Sequence, residues 1–464
     1  MEKKTNLIFS MTSKDIHEKI EEYLPVRNEE KNKYGEVFTP LSLINEIMDK
    51  LDKKIWKNPN LKWLDPASGI GNFPMVIFER LNEGLKPIIL NEIERKKHIV
   101  ENMLYMVEIN EKNVSISKKI FGINANIFCG SFLEDKWKNK FGVEKFDFIV
   151  GNPPFNKEKK EKQIGTKAKN TLWDIFIIKS LDNLKYNGYL CFINPPNWRG
   201  VSPNYRELWN QMSNKQLLYL HIYGVNDGRQ FFNVNSRFDL YILHNTTNTK
   251  QTEVIDELGK KHYFRLNKMH FLPNYAFDEI NKILIKNEKG VDVIMSYNKY
   301  FAYKNNINMS KIKTNEFKYP IVHTITNDGI GFWYSNTNKK GHFGVPKVIL
   351  NFNVKQYSYK EQNDYKGKYG MSQISFGIPI KSKKEGDLIL KAIETPIFKK
   401  IIASTKWGAF QTDHRMFNYF RKDWYKILLR IHKKTRKQIS KTPRTIKKKS
   451  VTPKTRKKSK NKKH

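Results

Sequence analysis

A short stretch near residue 150 combines residue types that could hold a flat ring bearing an amine. An apolar run, residues 146–151, reads as a buried strand that ends at a glycine and is followed by Asn152, Pro153, Pro154 and Phe155. The prolines lack N–H donors and stiffen the backbone. The Asn152 side-chain oxygen and the Pro153 carbonyl can accept both hydrogens of an NH2 group, and Phe155 offers a stacking face. These features suit a pocket for an extruded nucleobase.

A second candidate lies at the end of another short apolar run. Asp65 is followed by Ala67, Gly69 and Gly71, and then by residues 72–81, which read as a helix. The glycines permit a tight turn and close approach of the backbone to a ligand. Their Gly-x-Gly spacing falls short of the dinucleotide fingerprint, which disfavours NAD. An isolated Asn-Pro-Pro-Phe also fits a plain proline turn, so this second motif strengthens the ligand interpretation.

A third apolar run, residues 104–110, is predicted to be the second strand and carries Glu108 near its end. In an open parallel sheet, ligands bind at the carboxyl ends of strands, where an acid can accept hydrogen bonds from two ribose hydroxyls. Residues 83–103 read as an inserted helical segment, which explains the long spacing from Asp65. A surface acid at a strand end is the alternative.

Upstream of these motifs, residues 34–40 end in Thr39 and Pro40 and precede the amphipathic stretch 41–51. Threonine is a preferred helix N-cap and proline suits the first helical position, so a helix is predicted to begin here with Thr39 as its cap. A helix N-terminus is also a favourable place for a carboxylate.

Together, these motifs resemble the amino-group DNA methyltransferases, and their order resembles the γ class of adenine-N6 enzymes. Residues 152–155 match the catalytic motif, 65–73 match motif I, 34–40 match motif X and 229–243 match motif VIII. The resemblance implies an α/β fold with a Rossmann-like, S-adenosylmethionine-dependent methyltransferase domain, in which helices cover both faces of a mostly parallel twisted sheet. It further implies methyl transfer to the N6 amine of an adenine flipped out of double-stranded DNA.

The resemblance also implies roles for individual residues. Asn152 and Pro153 would accept the amine hydrogens, and Phe155 and Phe232 would hold the base, with Phe231 as the alternate to Phe232. Ser131 stands where the family usually has an aspartate that contacts the cofactor adenine, and a hydroxyl could still accept that bond. The implied catalytic residues are Asn152, Pro153, Pro154, Phe155 and Phe232, and the implied cofactor-binding residues are Thr39, Asp65, Ala67, Gly69, Gly71, Glu108, Ser131, Phe132 and Asn152.

A second Asn-Pro-Pro follows the apolar strand predicted at 188–194 and consists of Asn194, Pro195 and Pro196. Its position matches motif VI of the family, which is a structural strand end. Asn152 is therefore preferred as the catalytic residue. Only the first Asn-Pro-Pro follows the strand that carries an acid, Asp147, as the order of motifs in the family requires.

Charge indicates the partner. The chain has 85 Lys and Arg against 46 Asp and Glu in 464 residues, a formal net charge of +39. Such an excess of positive charge repels itself unless an anion neutralises it, and the phosphates of double-stranded DNA are the expected partner.

No metal-ligand spacing is found in the sequence. We expect a monomer without membrane contact in a reducing cytoplasmic or nuclear setting, because the two cysteines exclude a disulfide framework and no signal peptide is evident. A separate cognate endonuclease is a further candidate partner.

Four regions are predicted. Residues 1–33 form a helical lead, 34–250 the catalytic domain, 251–425 a C-terminal α+β target-recognition domain, and 426–464 a basic, disordered tail that raises non-specific DNA affinity.

Two alternatives stay open from the sequence. One is methylation of RNA or of a protein glutamine, because those enzymes also use Asn-Pro-Pro followed by an aromatic residue. The other is a non-catalytic DNA-binding protein on a methylase scaffold, which the Ser131 departure favours.

Overall fold

The computed structural model describes residues 7–12, 14–16, 18, 38–156, 171–295, 306–352, 357–408 and 413–441. Most of the predicted N-terminal lead, the charged stretch 157–170 and the tail beyond residue 441 lie outside these ranges. Within the lead, the described residues include a short helix, α1, at Leu7–Ser10, and residues 14–16 and 18 are also helical.

A nine-stranded sheet organises the N-terminal part of the chain. Its strands are β1 Trp63–Asp65, β2 Leu104–Glu108, β3 Asn126–Cys129, β4 Phe146–Gly151, β5 Leu184–Asn194, β6 Lys215–Tyr223, β7 Phe238–Thr247, β8 Thr252–Ile255 and β9 Lys261–Phe264. Their spatial order is β3-β2-β1-β4-β5-β7-β6-β8-β9. The strands from β3 to β5 pair in parallel, whereas β7 runs antiparallel between β5 and β6. This arrangement confirms the predicted mostly parallel α/β sheet.

Helices cover both faces of this sheet. They are α2 Leu41–Asp49, α3 Asn72–Gly84, α4 Glu92–His98, α5 Glu111–Phe121, α6 Lys136–Phe141, α7 Trp173–Asp182, α8 Arg206–Asn214 and α9 Val225–Phe232, with a π-helical turn at Ile99–Met103 and 3-10 turns at Lys53–Lys57, Pro196–Arg199 and Pro203–Tyr205.

The strand residues alternate between two apolar cores, one on each face of the sheet. Trp63 and Phe148 point into the first core, and their chain neighbours Leu64 and Ile149 point into the second. Because successive side chains of a strand face opposite sides, a strand buried on both faces must be apolar at every position. This requirement explains the unbroken apolar runs in the sequence.

The catalytic sheet continues past residue 250. β8 pairs in parallel with β6, and β9 pairs with β8, so the predicted boundary between residues 250 and 251 falls inside the sheet. The physical reason is that β6 would otherwise be an open edge, and β8 supplies its hydrogen-bond partners.

The C-terminal part contains two four-stranded sheets and four helices among its described residues. One sheet has the order β10-β17-β14-β15 and the other β11-β13-β12-β16. The strands are β10 Ile294–Met295, β11 Met309–Ser310, β12 Tyr319–Thr326, β13 Gly329–Ser335, β14 Lys347–Asn351, β15 Asn363–Asp364, β16 Gly370–Met371 and β17 Ser375–Pro379. The helices are α10 Phe277–Asn281, α11 Lys383–Ile393, α12 Pro396–Ser404 and α13 Trp424–Lys441, with 3-10 turns at Leu266–Lys268, Lys360–Gln362 and His414–Tyr419. This mixture agrees with the expected α+β composition.

The last helix differs from the sequence-based expectation. A disordered tail was predicted from residue 426, but α13 continues as helix to Lys441. The helix persists because Trp424 and Leu428 on its first turns are buried in the apolar core of the C-terminal part.

Candidate active site

A cleft opens at the carboxyl edge of the catalytic sheet. β1 and β4 lie side by side there, with Leu64 opposite Ile149, and both strands end at the cleft. The strand order reverses between them, which is where ligands bind in open α/β sheets. The cleft has a cavity volume of about 180 Å³.

The cleft brings together most of the residues that the motifs predicted. Those lining it are Thr39, Asp65, Ala67, Gly69, Glu108, Ser131, Phe132, Asn152 and Pro154. Four others do not line it: Gly71, Pro153, Phe155 and Phe232. The glycine turn after β1 and the Asn-Pro-Pro segment after β4 therefore share one open space, with no packed side chains separating them.

The Asn152 amide is held in a defined orientation. Its Nδ2 donates a hydrogen bond to the Thr39 hydroxyl at 3.2 Å, while its Oδ1 is buried and has no partner within the described residues. An unpaired buried acceptor is costly, so native proteins rarely leave one without a functional reason. The Asn152 side chain thus presents a free carbonyl oxygen at the cleft.

Thr39 acts differently from the prediction. It was expected to cap a helix, but α2 begins at Leu41 with Pro40 at the N-cap position and no side-chain cap. Instead, the Thr39 carbonyl accepts a hydrogen bond from Asn72 Nδ2 at 3.1 Å, and its hydroxyl accepts the one from Asn152. The threonine therefore joins the N-terminal segment to both edges of the cleft.

Gly151 explains how β4 can end so close to β1. Its φ is +152°, and a Cβ placed on it would lie 2.8 Å from Asp65 Oδ1. Only glycine fits that conformation and that approach. The glycine at the strand end thus sets the spacing between the Asn152 segment and the Asp65 carboxyl.

Asp65 is a buried carboxyl with an unusual protonation equilibrium. It is 3% exposed, and burial raises its pKa from 3.8 to about 8. The hydrogen bond from the Ala67 N–H opposes this shift, and the nearby negative charge of Glu108 adds to it. A cationic group placed beside Asp65 would reverse the balance and favour the carboxylate.

Glu108 braces the glycine turn. Its Oε2 accepts a hydrogen bond from the Gly69 N–H at 2.7 Å, and its Oε1 accepts one from the Asn110 N–H at 2.8 Å. The carboxylate therefore lies at the end of β2 and faces the cleft, as the strand pattern predicted.

Gly71 shapes the turn without facing the cleft. It occupies the N-cap position of α3 with a φ of +98°, and a Cβ there would lie 2.6 Å from the Phe121 ring. Its function is therefore to allow close packing of α3 on α5.

The segment after β3 contributes one polar and one aromatic residue. The Ser131 hydroxyl accepts a hydrogen bond from the Leu133 N–H at 3.2 Å. Phe132 lines the cleft but is buried, with its ring stacked on Trp137 at 5.5 Å. Phe132 is therefore a core residue as well as part of the cleft wall.

The position of Phe232 does not support its predicted role of holding the target base together with Phe155. It ends helix α9, is 5% exposed, and packs edge-on against Phe238 inside the first apolar core. The helical register turns Phe232 inward, so its ring has no free face. Phe231 is only partly buried and lies edge-on to Tyr223 and Phe238. Phe155 is also partly buried, against the second core.

Two polar residues at the cleft were missed by the sequence reasoning. The Ser68 hydroxyl and Asn72 Oδ1 are buried and lack partners among the described residues, and both side chains line the cleft. A signal was available, because Asn72 opens an otherwise apolar helix directly after Gly71. A polar residue at the first position of such a helix indicates contact with something other than the core.

Comparison with known proteins finds a family model that matches part of this chain. Residues 91–232 match the family model of the Eco57I restriction-modification methylases. The matched range contains Glu108, Ser131 and the Asn152 segment. It confirms the resemblance to DNA adenine methyltransferases that the motifs indicated.

Two curated relatives carry names in agreement with the restriction-modification methylases. An uncharacterized adenine-specific methylase of Mycoplasma pneumoniae is 29% identical, over 35% of this chain and 55% of the relative. The modification methylase CviBIII of Paramecium bursaria Chlorella virus NC1A is 26% identical, over 62% of this chain and 68% of the relative. The chain thus spans about half the length of the first of these relatives.

Solved structures of restriction-modification enzymes share the fold of this chain. The Type IIL restriction-modification enzyme MmeI in complex with DNA aligns with a TM-score of 0.53 and 12% identity, over 90% of this chain and 73% of that one. The ATP-dependent Type ISP enzyme LlaBIII bound to DNA aligns with a TM-score of 0.50 and 13% identity, over 91% and 41%. The first alignment extends well beyond the catalytic sheet into the C-terminal part.

The described residues contain neither a metal-ligand cluster nor a membrane-spanning helix. No group of three or more His, Cys, Asp or Glu side chains is arranged to hold a metal ion there. Nor does any helix in those ranges have the length and apolar character needed to cross a membrane.

Proposed function

We propose that this protein transfers a methyl group from S-adenosylmethionine to the N6 amine of an adenine flipped out of double-stranded DNA. The observation that carries the proposal is the Asn152 carboxamide, whose Oδ1 is buried, unpartnered and fixed at the cleft by the bond from Nδ2 to Thr39. An exocyclic amine is the kind of donor that this oxygen lacks.

The cleft has the donor and acceptor set that S-adenosylmethionine needs. Asp65 and Glu108 supply acids for the cofactor's cationic and ribose groups, and the Ser68 hydroxyl and Asn72 Oδ1 are unpaired polar atoms on the same wall. When bound, the cofactor would supply a methyl group on a sulfonium centre. The other residues proposed to hold it are Thr39, Ala67, Gly69, Gly71, Ser131, Phe132 and Asn152, with Gly71 acting through the shape of the turn.

The chain would promote the reaction mainly by placement. Asn152 Oδ1 and the Pro153 carbonyl would accept the two amine hydrogens, which leaves the nitrogen lone pair free to point into the cleft. Pro154 stiffens the segment, and the Phe155 ring would support the base. Such contacts accelerate a reaction when they are stronger in the transition state than in the ground state. Here the two acceptors would bind the amine hydrogens more strongly as the amine nitrogen becomes tetrahedral.

The C-terminal part is proposed to contact the DNA around the flipped base. Supporting observations are the net charge of +39 and the similarity in fold to MmeI over 90% of the chain. Residues 266–441 would then be the recognition region, since the catalytic sheet extends to Phe264. This assignment moves the start of the predicted target-recognition domain from residue 251 to about residue 266.

The proposal is tested by giving the full chain S-adenosylmethionine with a tritiated methyl group. Duplex DNA of mixed sequence, RNA and protein extract are offered in separate reactions. The expected result is tritium in the duplex alone, recovered after enzymatic digestion as N6-methyl-2′-deoxyadenosine. Label confined to RNA or protein would overturn the DNA assignment, and label recovered as a methylated cytosine would overturn the assignment to adenine.

A matched variant connects the activity to the site. Asn152→Asp replaces the amide by a carboxyl of nearly equal size, which can still accept a hydrogen bond but loses the Nδ2 donor to Thr39. Methyl transfer by Asn152→Ala should be abolished and that by Asn152→Asp reduced. Full activity in Asn152→Ala would remove Asn152 from the mechanism.

A further inference from the structure

The final helix of the described chain, α13, carries charge of one sign only. Its sequence contains no Asp or Glu and has seven basic residues: Lys426, Arg430, Lys433, Lys434, Arg436, Lys437 and Lys441. The sequence after it, residues 442–464, adds eleven Lys and Arg and again no acid. A helix with this composition cannot form the opposite-charge pairs that normally stabilise exposed helices.

The first half of α13 is anchored in the protein. Trp424, Tyr425 and Leu428 are buried in the core of the C-terminal part, together with side chains of α11 and α12. Lys433, Lys434 and Thr435 are exposed. The ten residues 432–441 span roughly 15 Å at the usual rise per residue of an α-helix. We define the basic arm as residues 426–434, whose exposed charges begin at this fixed base.

The charges of the basic arm form a continuous line. Lys426, Arg430 and Lys434 are exposed and follow each other at i, i+4 spacing, so they lie along one stripe of the helix. None of the three takes part in an ion pair within the described part of the chain. Neighbouring like charges repel, and an anionic partner running along the stripe would remove that repulsion.

We propose that the basic arm binds the phosphate backbone of duplex DNA, in addition to the contacts that the recognition region makes with bases. The proposal rests on the proposed DNA methyltransferase function. A duplex presents one negative charge per roughly 1.7 Å of its axis. A straight row of cations therefore matches the charge of a duplex better than the charge of a compact anion. Backbone contacts of this kind contribute to affinity and position but carry no sequence information.

The experiment compares two triple variants of the full chain. The arm variant is Arg430→Gln, Lys433→Gln, Lys434→Gln, and glutamine keeps a similar helix propensity. The control variant is Lys53→Gln, Lys54→Gln, Lys57→Gln. These three lysines are exposed on the 3-10 turn whose Trp56 stacks on Trp63, at the amino end of β1 and away from the cleft. Both variants lower the net charge by the same amount.

The measurement is the affinity for a 30-base-pair duplex at a series of salt concentrations. Each phosphate contact contributes about 0.9 to the magnitude of the slope of log affinity against log salt. The magnitude of this slope should therefore be smaller by about 2 to 3 in the arm variant than in the wild type. Its affinity at low salt should fall equally for unrelated duplex sequences. The control variant should keep the wild-type slope, and thermal unfolding should be the same for all three proteins.

The outcomes separate this inference from the proposed function. Equal loss of slope in both variants would mean that overall charge matters and the arm does not. If the wild type methylates DNA but the arm variant keeps the wild-type slope, only the proposal for the basic arm is overturned. A wild-type protein that neither binds nor methylates duplex DNA would overturn the proposed function and the arm together.

Discussion

Two neighbouring strands of the catalytic sheet end in the same three residues, Asn-Pro-Pro, yet their surroundings are opposite. β4 leads to Asn152, Pro153 and Pro154, and β5 leads to Asn194 and its two prolines. The strands are adjacent and parallel, so both motifs leave the same edge of the sheet. The tripeptide alone cannot explain the difference between them.

The first motif is open to the cleft, and the second is closed. Asn194 is 0% exposed, and its Nδ2 donates to the Pro195 carbonyl at 2.8 Å. Its Oδ1, like that of Asn152, has no partner among the described residues, but Asn194 does not line the cleft. A 3-10 turn, Pro196–Arg199, follows and buries Trp198. Arg199 then forms a fully buried ion pair with Asp239 of β7. Side chains and a buried charge pair therefore occupy the space where the first motif has a cleft.

The comparison teaches that position in the sheet decides what the motif does. β4 lies beside β1, at the point where the strand order reverses, so Asn152 faces the Asp65 carboxyl and the glycine turn. β5 lies one strand further out, beside the antiparallel β7, whose residue Asp239 closes that end. The same residues thus form a ligand-binding edge in one place and a structural joint in the other.

The strongest test of this contrast substitutes each asparagine separately. Asn152→Ala should lower the rate of methyl transfer by roughly 10²–10³-fold or more, because it removes a fixed acceptor for the reacting amine. Cofactor affinity should fall by a much smaller factor, because the other residues proposed to hold the cofactor remain. Asn194→Ala should leave the rate per folded molecule unchanged. Single-turnover kinetics and calorimetric titration of the cofactor measure the two effects. Equal loss of activity in both variants would refute the contrast.

The structural joint can be tested through its ion pair. Arg199→Met leaves Asp239 as a buried carboxylate without its partner, and breaking such a pair destabilises proteins by about 3 to 5 kcal/mol. Arg199 also donates to the Leu272 and Pro273 carbonyls and to Asn274, so the link to the C-terminal part should weaken as well. Denaturant unfolding followed by tryptophan fluorescence measures the loss. Adding Asp239→Asn should recover part of it.

The ligand-binding edge should show a pH dependence that comes from Asp65. The pKa of Asp65 is raised by burial to about 8 from 3.8, so the folded protein retains a proton that the unfolded chain has lost between these values. This contribution to stability is fully present below pH 4 and is lost as pH rises through 8, with a slope of at most about 1.4 kcal/mol per pH unit.

The control for this pH dependence is Asp65→Asn, which cannot titrate. The difference in unfolding free energy between the variant and the wild type should grow in favour of the variant as pH rises from 5 to 8. A constant difference across that range would show that Asp65 is ionised in the folded protein without its ligand.

A smaller effect is expected from the glycine that sets the spacing between β4 and β1. Gly151→Ala places a methyl group 2.8 Å from Asp65 Oδ1 in a conformation unfavourable for alanine, so cofactor affinity should fall by about tenfold. Gly142→Ala is the matched control, since Gly142 also has a positive φ, +61°, but nothing within 4 Å of the added Cβ. Similar cofactor affinity in both variants would show that the close approach to Asp65 has no consequence.

Much of the cleft was predictable because its residues follow local rules. Asp65, Glu108 and Asn152 each end an apolar run, and the ends of adjacent parallel strands must meet at one edge of the sheet. Residue types at strand ends therefore predicted which side chains share the cleft, without knowledge of the packing.

The incorrect expectations depended on packing between distant segments. Phe231 and Phe232 are adjacent, and only the way α9 docks on the core decides that Phe232 points inward. Thr39 could have capped α2, but a bond to Asn152, 113 residues away, occupies its hydroxyl. The boundary at residue 250 was wrong because the sequence does not reveal that β8 pairs with β6.

The insertion of β7 between β5 and β6 has a consequence for synthesis of the chain. While a ribosome is still making residues before 238, β5 and β6 have no strand to join them, and the Arg199 charge has no counterion. The nascent chain therefore leaves the ribosome with two unpaired strand edges and a cation that requires burial. Completion of β7 at residue 247 supplies both missing partners together, and β8 and β9 then extend the sheet beyond β6.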